Sequence, residues 1–116
     1  MESSEITTDA PLKQVLDVLR SSGVLSSLYR DESSRKEIYR GGSPEGGYIT
    51  VADDLKVDVD EIETWIDVYE QTDEGLQYRI FNALAGALDV RVTRCPREGE
   101  PQDPGETINA PATAAN

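Results

Sequence analysis

The segment from Val51 to Trp65, VADDLKVDVDEIETW, constrains this chain more than any other. Its apolar residues fall where two short helices joined by a tight turn need them. The positions between them are almost all acidic. Asp53, Asp54, Asp58, Asp60, Glu61, Glu63, Asp67, Glu70, Asp73 and Glu74 lie between Val51 and Leu76 against Lys56 alone, so ten carboxylates less one ammonium leave a local charge of −9. A helical pair with this pattern buries its apolar stripe and turns a strongly anionic surface to solvent.

The chain has 116 residues, of which 37% are hydrophobic, and its apolar segments end at Val92. That is material for one small core. No stretch approaches the roughly 18 consecutive apolar residues of a membrane span, and the opening MESSEITTDA is acidic where a secretory signal is basic and then apolar. A cytoplasmic protein without a membrane partner is expected. Cys95 is the single cysteine and histidine is absent, which excludes an internal disulfide and leaves no zinc cluster or imidazole base. With no nucleophile–base pair, phosphate loop or metal cluster in view, neither catalytic residues nor a cofactor or metal is expected, and the protein does not read as an enzyme.

The formal charge of −12 favours basic partners and disfavours nucleic acid and anionic membranes. Lysine is scarce, with Lys13, Lys36 and Lys56 against eight arginines. That balance also suits a chain adapted to high salt, where charges are screened within about 3 Å at 1 M and net charge says little about DNA.

Along the chain, residues 1–9 read as a flexible leader, 10–93 as a helical domain and 94–116 as a disordered, proline-rich acidic tail. Asp9 suits an N-cap, with Pro11 in the first turn of a helix whose Leu12, Val15, Leu16 and Leu19 share one face and which Gly23 ends. A shorter amphipathic piece covers Val24 to Tyr29. SSRKEIYR from Ser33 to Arg40 reads as a further helix capped by Ser33 or Ser34, and GGSPEGG at 41–47 as a connector or turn. Asp58 and Glu61 open a helix in which Ile62, Trp65, Ile66 and Tyr69 form a stripe, placing Trp65 in the core. Thr72 or Asp73 caps another carrying Leu76, Ile80, Phe81, Leu84 and Leu88, and Val90 and Val92 alternate with Arg91 and Thr93 as a short extended arm. The fold class expected is therefore all-α, a small helical bundle with disordered termini.

Within that frame Val51–Trp65 resembles the helix-turn-helix core of phage-repressor-like (Cro/C1, XRE-type) regulators. Ala52, Leu55, Val57, Ile62 and Trp65 stand at the packing positions, and RIFNALAGALDVRV at 79–92 stands where a further helix commonly follows. Lys56 replaces the glycine usual in the turn, and the reading helix, Asp60–Glu70, carries no base. Upstream, SRKEIYR at 34–40 with SPEG at 43–46 resembles the reading helix and turn of HigA-like antidotes, although Glu32 and Ser33 depart from that family's turn. That second resemblance implies DNA contacts by Arg35, Lys36, Tyr39 and Arg40.

Two functions follow as expectations. The first is a DNA-binding transcriptional regulator or antitoxin that contacts DNA through Arg35, Lys36, Tyr39 and Arg40 with Arg91 and Arg94 assisting, a homodimer being compatible with a symmetric site. The second is an acidic DNA mimic or protein-interaction module, of the kind represented by phage anti-CRISPR and anti-restriction inhibitors. Its Asp53, Asp54, Asp60, Glu63, Asp67 and Glu70 would engage a basic nucleic-acid-binding protein. On a helix, Glu63, Asp67 and Glu70 would be spaced roughly 5–6 Å apart, near the separation of successive phosphates. Both readings compete with an ordinary solvated acidic surface.

Overall fold

Burial along Ile62–Glu70 alternates with a period of two: Thr64, Ile66, Val68 and Glu70 are buried, while Glu63, Trp65, Asp67 and Tyr69 lie on the opposite side. That is strand periodicity. The computed structural model describes residues 2–55, 61–70, 75–96 and 104–109. In chain order these form β1 (Glu2–Thr8), α1 (Leu12–Ser22), β2 (Ser27–Arg30), β3 (Tyr39–Gly42), β4 (Tyr48–Leu55), β5 (Ile62–Glu70), α2 (Leu76–Ala87), β6 (Val92–Cys95) and β7 (Glu106–Ile108). The strands make one antiparallel sheet of order β2-β3-β4-β5-β1-β6-β7.

The all-α bundle and its helix-turn-helix are therefore corrected. Val51–Trp65 contributes to two neighbouring strands, with Val51 opposite Ile66 and Ala52 opposite Trp65. The physical reason is an ambiguity of period. Ile62, Trp65, Ile66 and Tyr69 fit a helical stripe, but Ile62, Thr64, Ile66 and Val68 are β-branched residues at every second position, interleaved with the aromatic Trp65 and Tyr69. Such residues fit a pleated, half-buried surface, and two flanking strands supply the hydrogen-bond partners. The expected upstream helix at 33–40 is a turn leading into β3, closed by an Asp31 N–H to Ile38 carbonyl bond of 2.8 Å.

The expected flexible leader is the second correction. Glu2–Thr8 is β1, an interior strand paired with β5 on one side and β6 on the other. Part of the expected disordered tail is strand too, since Arg94 and Cys95 belong to β6 and Glu106–Ile108 is β7. The remaining tail residues, 97–103 and 110–116, lie outside the described residues, as do Asp58, Asp60, Thr72 and Asp73.

Both helices carry the apolar stripes expected of them, but α2 is capped at Gly75 and not at Thr72 or Asp73. Leu12, Val15, Leu16 and Leu19 of α1 and Leu76, Ile80, Phe81 and Leu84 of α2 are buried with Ile6, Ile49, Val51, Ile66, Val68 and Val92 of the sheet. Register puts Ile6, Ile66 and Val51 in one row and Val68 beside Ile49, so the apolar positions share one face and the helices cover it. Gly23 ends α1 in the left-handed region at φ 76°, as its sequence implies. Pro11 stands at the N-cap of α1, while Asp9 is drawn away to Arg91. The GGSPEGG segment becomes the β3–β4 turn, closed by Ser43 N–H to Gly47 carbonyl at 2.7 Å. Gly41 is obligatory for contact: a Cβ there would stand 2.8 Å from the Ser27 carbonyl oxygen of β2.

Candidate interaction face

With both helices on one side, the sheet's other side is built from the alternate residues. β4 contributes Tyr48, Thr50, Ala52 and Asp54; β5 contributes Glu63, Trp65, Asp67 and Tyr69; β1 contributes Ser3, Glu5 and Thr7; and β6 contributes Arg91, Thr93 and Cys95. Tyr48 and Tyr69 are opposite each other, their rings stacked with centroids 4.8 Å apart and planes 16° from parallel. Trp65, the only tryptophan, is 40% exposed and Tyr48 43% exposed. Trp65 is thus a face residue; its helical stripe pointed to the core, but strand geometry sends it and Ile66 to opposite sides.

Next to the aromatic residues, Glu5 of β1 and Asp67 of β5 stand directly opposite each other. Among the described residues neither carboxylate has a cation as ion-pair partner. Burial, then the Asp67 and Glu63 carboxylates, push the Glu5 pKa up against a weaker opposing hydrogen bond from Cys95, and burial pushes Asp67 up as well. The Cys95 thiol, opposite Glu5 on the other side, is raised by burial and by the Glu5 charge, so it is no activated nucleophile.

These directions set a pH dependence. A carboxylate whose folded pKa is raised takes up its proton more readily in the folded than in the unfolded chain, so the penalty it imposes at neutral pH is relieved as pH falls through the folded value. Asp31 acts in the opposite sense: bonds from Ser33 and Arg40 hold it down to about 2, so the stability it contributes is present above its ordinary value of 3.8 and lost as pH falls toward 2. Asp67→Asn should therefore stabilise the protein by about 0.2–1 kcal/mol at pH 7, the size of a cross-strand pair interaction, because like charges directly opposite one another in a sheet are destabilising. The gain should shrink by pH 4, measured by urea unfolding at both values. An equal gain at both would show that Asp67 is not strained by its charge.

The residues expected to read DNA are not brought together. Arg35 and Lys36 are exposed between β2 and β3. Tyr39 packs at the border of the core and donates its hydroxyl to Glu37 at 2.8 Å, and Arg40 donates to Asp31 at 2.8 Å and to Thr50 at 3.3 Å. Several strands away, Arg94 is 4% exposed beneath α2, its guanidinium 4.3 Å above the Tyr78 ring and 3.6 Å from Glu106. Arg91 lies on the open face but is ion-paired with Asp9 and Glu63.

The acidic set is also divided. Asp53 and Asp54 are exposed near the end of β4, Asp60 lies outside the described residues, and Glu63 and Asp67 are on the open face. Glu70 is on the covered side, 6% exposed, accepting the backbone N–H groups of Leu76 and Gln77. Along a strand Glu63 and Asp67 are roughly 13 Å apart at about 3.3 Å per residue, so the single-helix phosphate spacing is lost. Sequence reasoning missed Glu5, Tyr48 and Tyr69 as face residues. The signal for Tyr69 was its alternation with Glu63, Trp65 and Asp67; nothing local announced Glu5.

No protein-family model matches the chain, and no curated protein matches it. Among the described residues no group of three or more acidic, cysteine or histidine side chains is placed to hold a metal ion, and no helix is long and apolar enough to cross a membrane.

Proposed function

We propose that this protein is an acidic interaction module that receives a cationic protein segment on the open face of its sheet. The observation that carries this reading is the juxtaposition of the opposed Glu5 and Asp67 carboxylates with Trp65 and the stacked Tyr48–Tyr69 pair, on a face that neither helix covers. An arginine side chain entering there gains twice. Its guanidinium meets two carboxylates that no cation in the described chain neutralises, and its flat surface lies against aromatic rings, where a cation is worth about 0.5–2 kcal/mol. Tyrosine and tryptophan also supply large contact area at low entropic cost.

Charge favours the same class of partner. A chain at −12 attracts basic segments at long range and repels phosphate. Two of the arginines expected to hold DNA are occupied internally, Arg91 by Asp9 and Glu63 and Arg94 under α2. Proteins that bind nucleic acid carry arginine-rich segments as a rule, which makes them the natural class of partner and competition with their nucleic acid the natural consequence of binding.

The single tryptophan reports on the face directly. Titrating a nine-arginine peptide at low salt should change Trp65 fluorescence saturably. Glu5→Gln with Asp67→Asn should weaken binding by about tenfold, or 1.4 kcal/mol, and flatten its salt dependence while leaving the fold intact. Binding that leaves Trp65 silent, or that survives the double change unaltered, would place the cationic segment elsewhere and end this reading.

A further inference from the structure

At the far side of the sheet from β7, the edge strand β2 is paired, among the described residues, only to β3. The Asp31 N–H bond to the Ile38 carbonyl makes 31/38 a hydrogen-bonded pair. By the alternation of an antiparallel ladder, Tyr29/Arg40 is the next such pair, and the backbone groups of Leu28 and Arg30 face away from β3. No proline interrupts the strand. An edge of this kind is a template for an added strand.

Beside that edge, where α1 ends, is a groove of about 250 Å³ lined by Leu19, Leu25 and Leu28 with Arg20, Ser26 and Ser27. Leu19 is a core residue, and Leu25 and Leu28 are half-buried against the same core. The floor is therefore aliphatic and continuous with the core. Its rim is cationic. Arg20 and Arg30 are both exposed, and both lie close enough to Tyr39 for their charges to act on its phenol. Neither forms an ion pair among the described residues, whereas Arg40, Arg79, Arg91 and Arg94 each have a carboxylate within 4 Å.

We infer that the β2 edge and this groove form a second docking surface, which takes an extended acidic–aliphatic segment of a partner protein as an eighth strand. Main-chain bonds to Leu28 and Arg30 hold the segment, one aliphatic side chain fills the groove, and a flanking carboxylate meets Arg20 or Arg30. Charge complementarity selects this occupant. A second copy of β2 would bring Arg20 and Arg30 against their own counterparts, and a basic segment would be repelled by the same rim. The surface is independent of the open face and of opposite sign, so one can fail while the other stands.

The test uses a blocked seven-residue peptide alternating leucine with glutamate, compared with a leucine–lysine peptide and with the glutamate peptide N-methylated on the edge that would face β2. Amide NMR titration should show shifts centred on residues 19–30 for the glutamate peptide, slowed hydrogen exchange at Leu28 and Arg30, and no such response to the other two. Arg20→Glu with Arg30→Glu, both exposed and outside the core, should weaken binding at least tenfold. Equal binding of the glutamate and lysine peptides, retained binding after N-methylation, or shifts on β4 and β5 would each overturn the proposal. So would a concentration-dependent dimer in sedimentation that Ser27→Lys abolishes, because a second copy would then own the edge.

Discussion

Replacing Arg91 with alanine should destabilise the protein by about 2–4 kcal/mol, or roughly 8–15 °C in Tm for a domain of this size. All five guanidinium donors are in use. Nε and Nη2 donate to Asp9 Oδ1 at 3.3 and 3.0 Å, the second Nη2 proton goes to Glu63, and Nη1 donates to Thr7 Oγ1 at 3.0 Å and Thr93 Oγ1 at 2.6 Å. The Arg91 and Glu63 side chains are each only 15% exposed and Asp9 24%. Removing the cation leaves two carboxylates together, with Glu5 close enough to feel Glu63. The full cost of breaking a buried pair is about 3–5 kcal/mol, and partial solvent access lowers it. Arg91→Lys keeps the charge but cannot hold four acceptors in a plane, so it should recover only part of the loss. Adding Glu63→Gln to Arg91→Ala should restore about 1 kcal/mol or more, since one of the stranded charges is gone. Thermal and urea unfolding of the three variants check this. If Arg91→Ala proved neutral, the cluster would be solvated decoration and Arg91 would be free for an external anion.

What the sequence disclosed follows from the range of the interactions involved. Helices α1 and α2 were legible because the leucines, isoleucine and phenylalanine on their inner faces fit only a 3.6-residue period, and Gly23 marks one end. β6 was legible from the alternation of Val90 and Val92 with Arg91 and Thr93. The central strands were not. In 62–70 the helical and strand periods share Ile62 and Ile66, and the choice between them is made by β1 and β4, most of whose residues are distant in sequence. β1 itself, ESSEITT, holds one strongly apolar residue, Ile6, and looks like a soluble leader until its two neighbours pair with it. The face residues depended on those same pairings. Arg91 and Thr8 are 83 positions apart, yet the Thr8 hydroxyl donates to the Arg91 carbonyl at 2.6 Å. A basic residue read as a phosphate contact became an internal tie because no local pattern records which carboxylates the sheet will bring beside it.

Glu70 carries the second large expectation, and it separates surface acidity from structural acidity. α2 begins after Gly75, which sits in the left-handed region at φ 72°, with no side-chain hydrogen bond at the N-cap and no acidic residue in the first turn. The exposed amides of a helix start need acceptors, and its positive end favours an anion. Glu70, at the end of β5, supplies both from outside the helix: Oε1 accepts from Leu76 N–H at 2.9 Å and Oε2 from Gln77 N–H at 3.0 Å. Gln77 in turn uses its side-chain amide to bond the carbonyls of Glu5 and Cys95 at 3.0 and 2.8 Å. The carboxylate therefore positions α2 against β1 and β6 as well as capping it. Glu70→Ala should cost about 2–3 kcal/mol, the expense of leaving two buried N–H groups unmet beside a helix terminus. Glu70→Gln keeps one acceptor and the shape but loses the charge, and should cost about half as much. Amide exchange at Leu76 and Gln77 should accelerate more than at Ile80. The decisive contrast is with Asp67: Asp67→Asn should raise stability and weaken binding of the nine-arginine peptide, whereas Glu70→Gln should lower stability and leave the affinity of the folded protein unchanged. A Glu70 variant that binds more weakly while unfolding normally would return this residue to the surface and break the assignment of β5 faces on which the open-face reading depends.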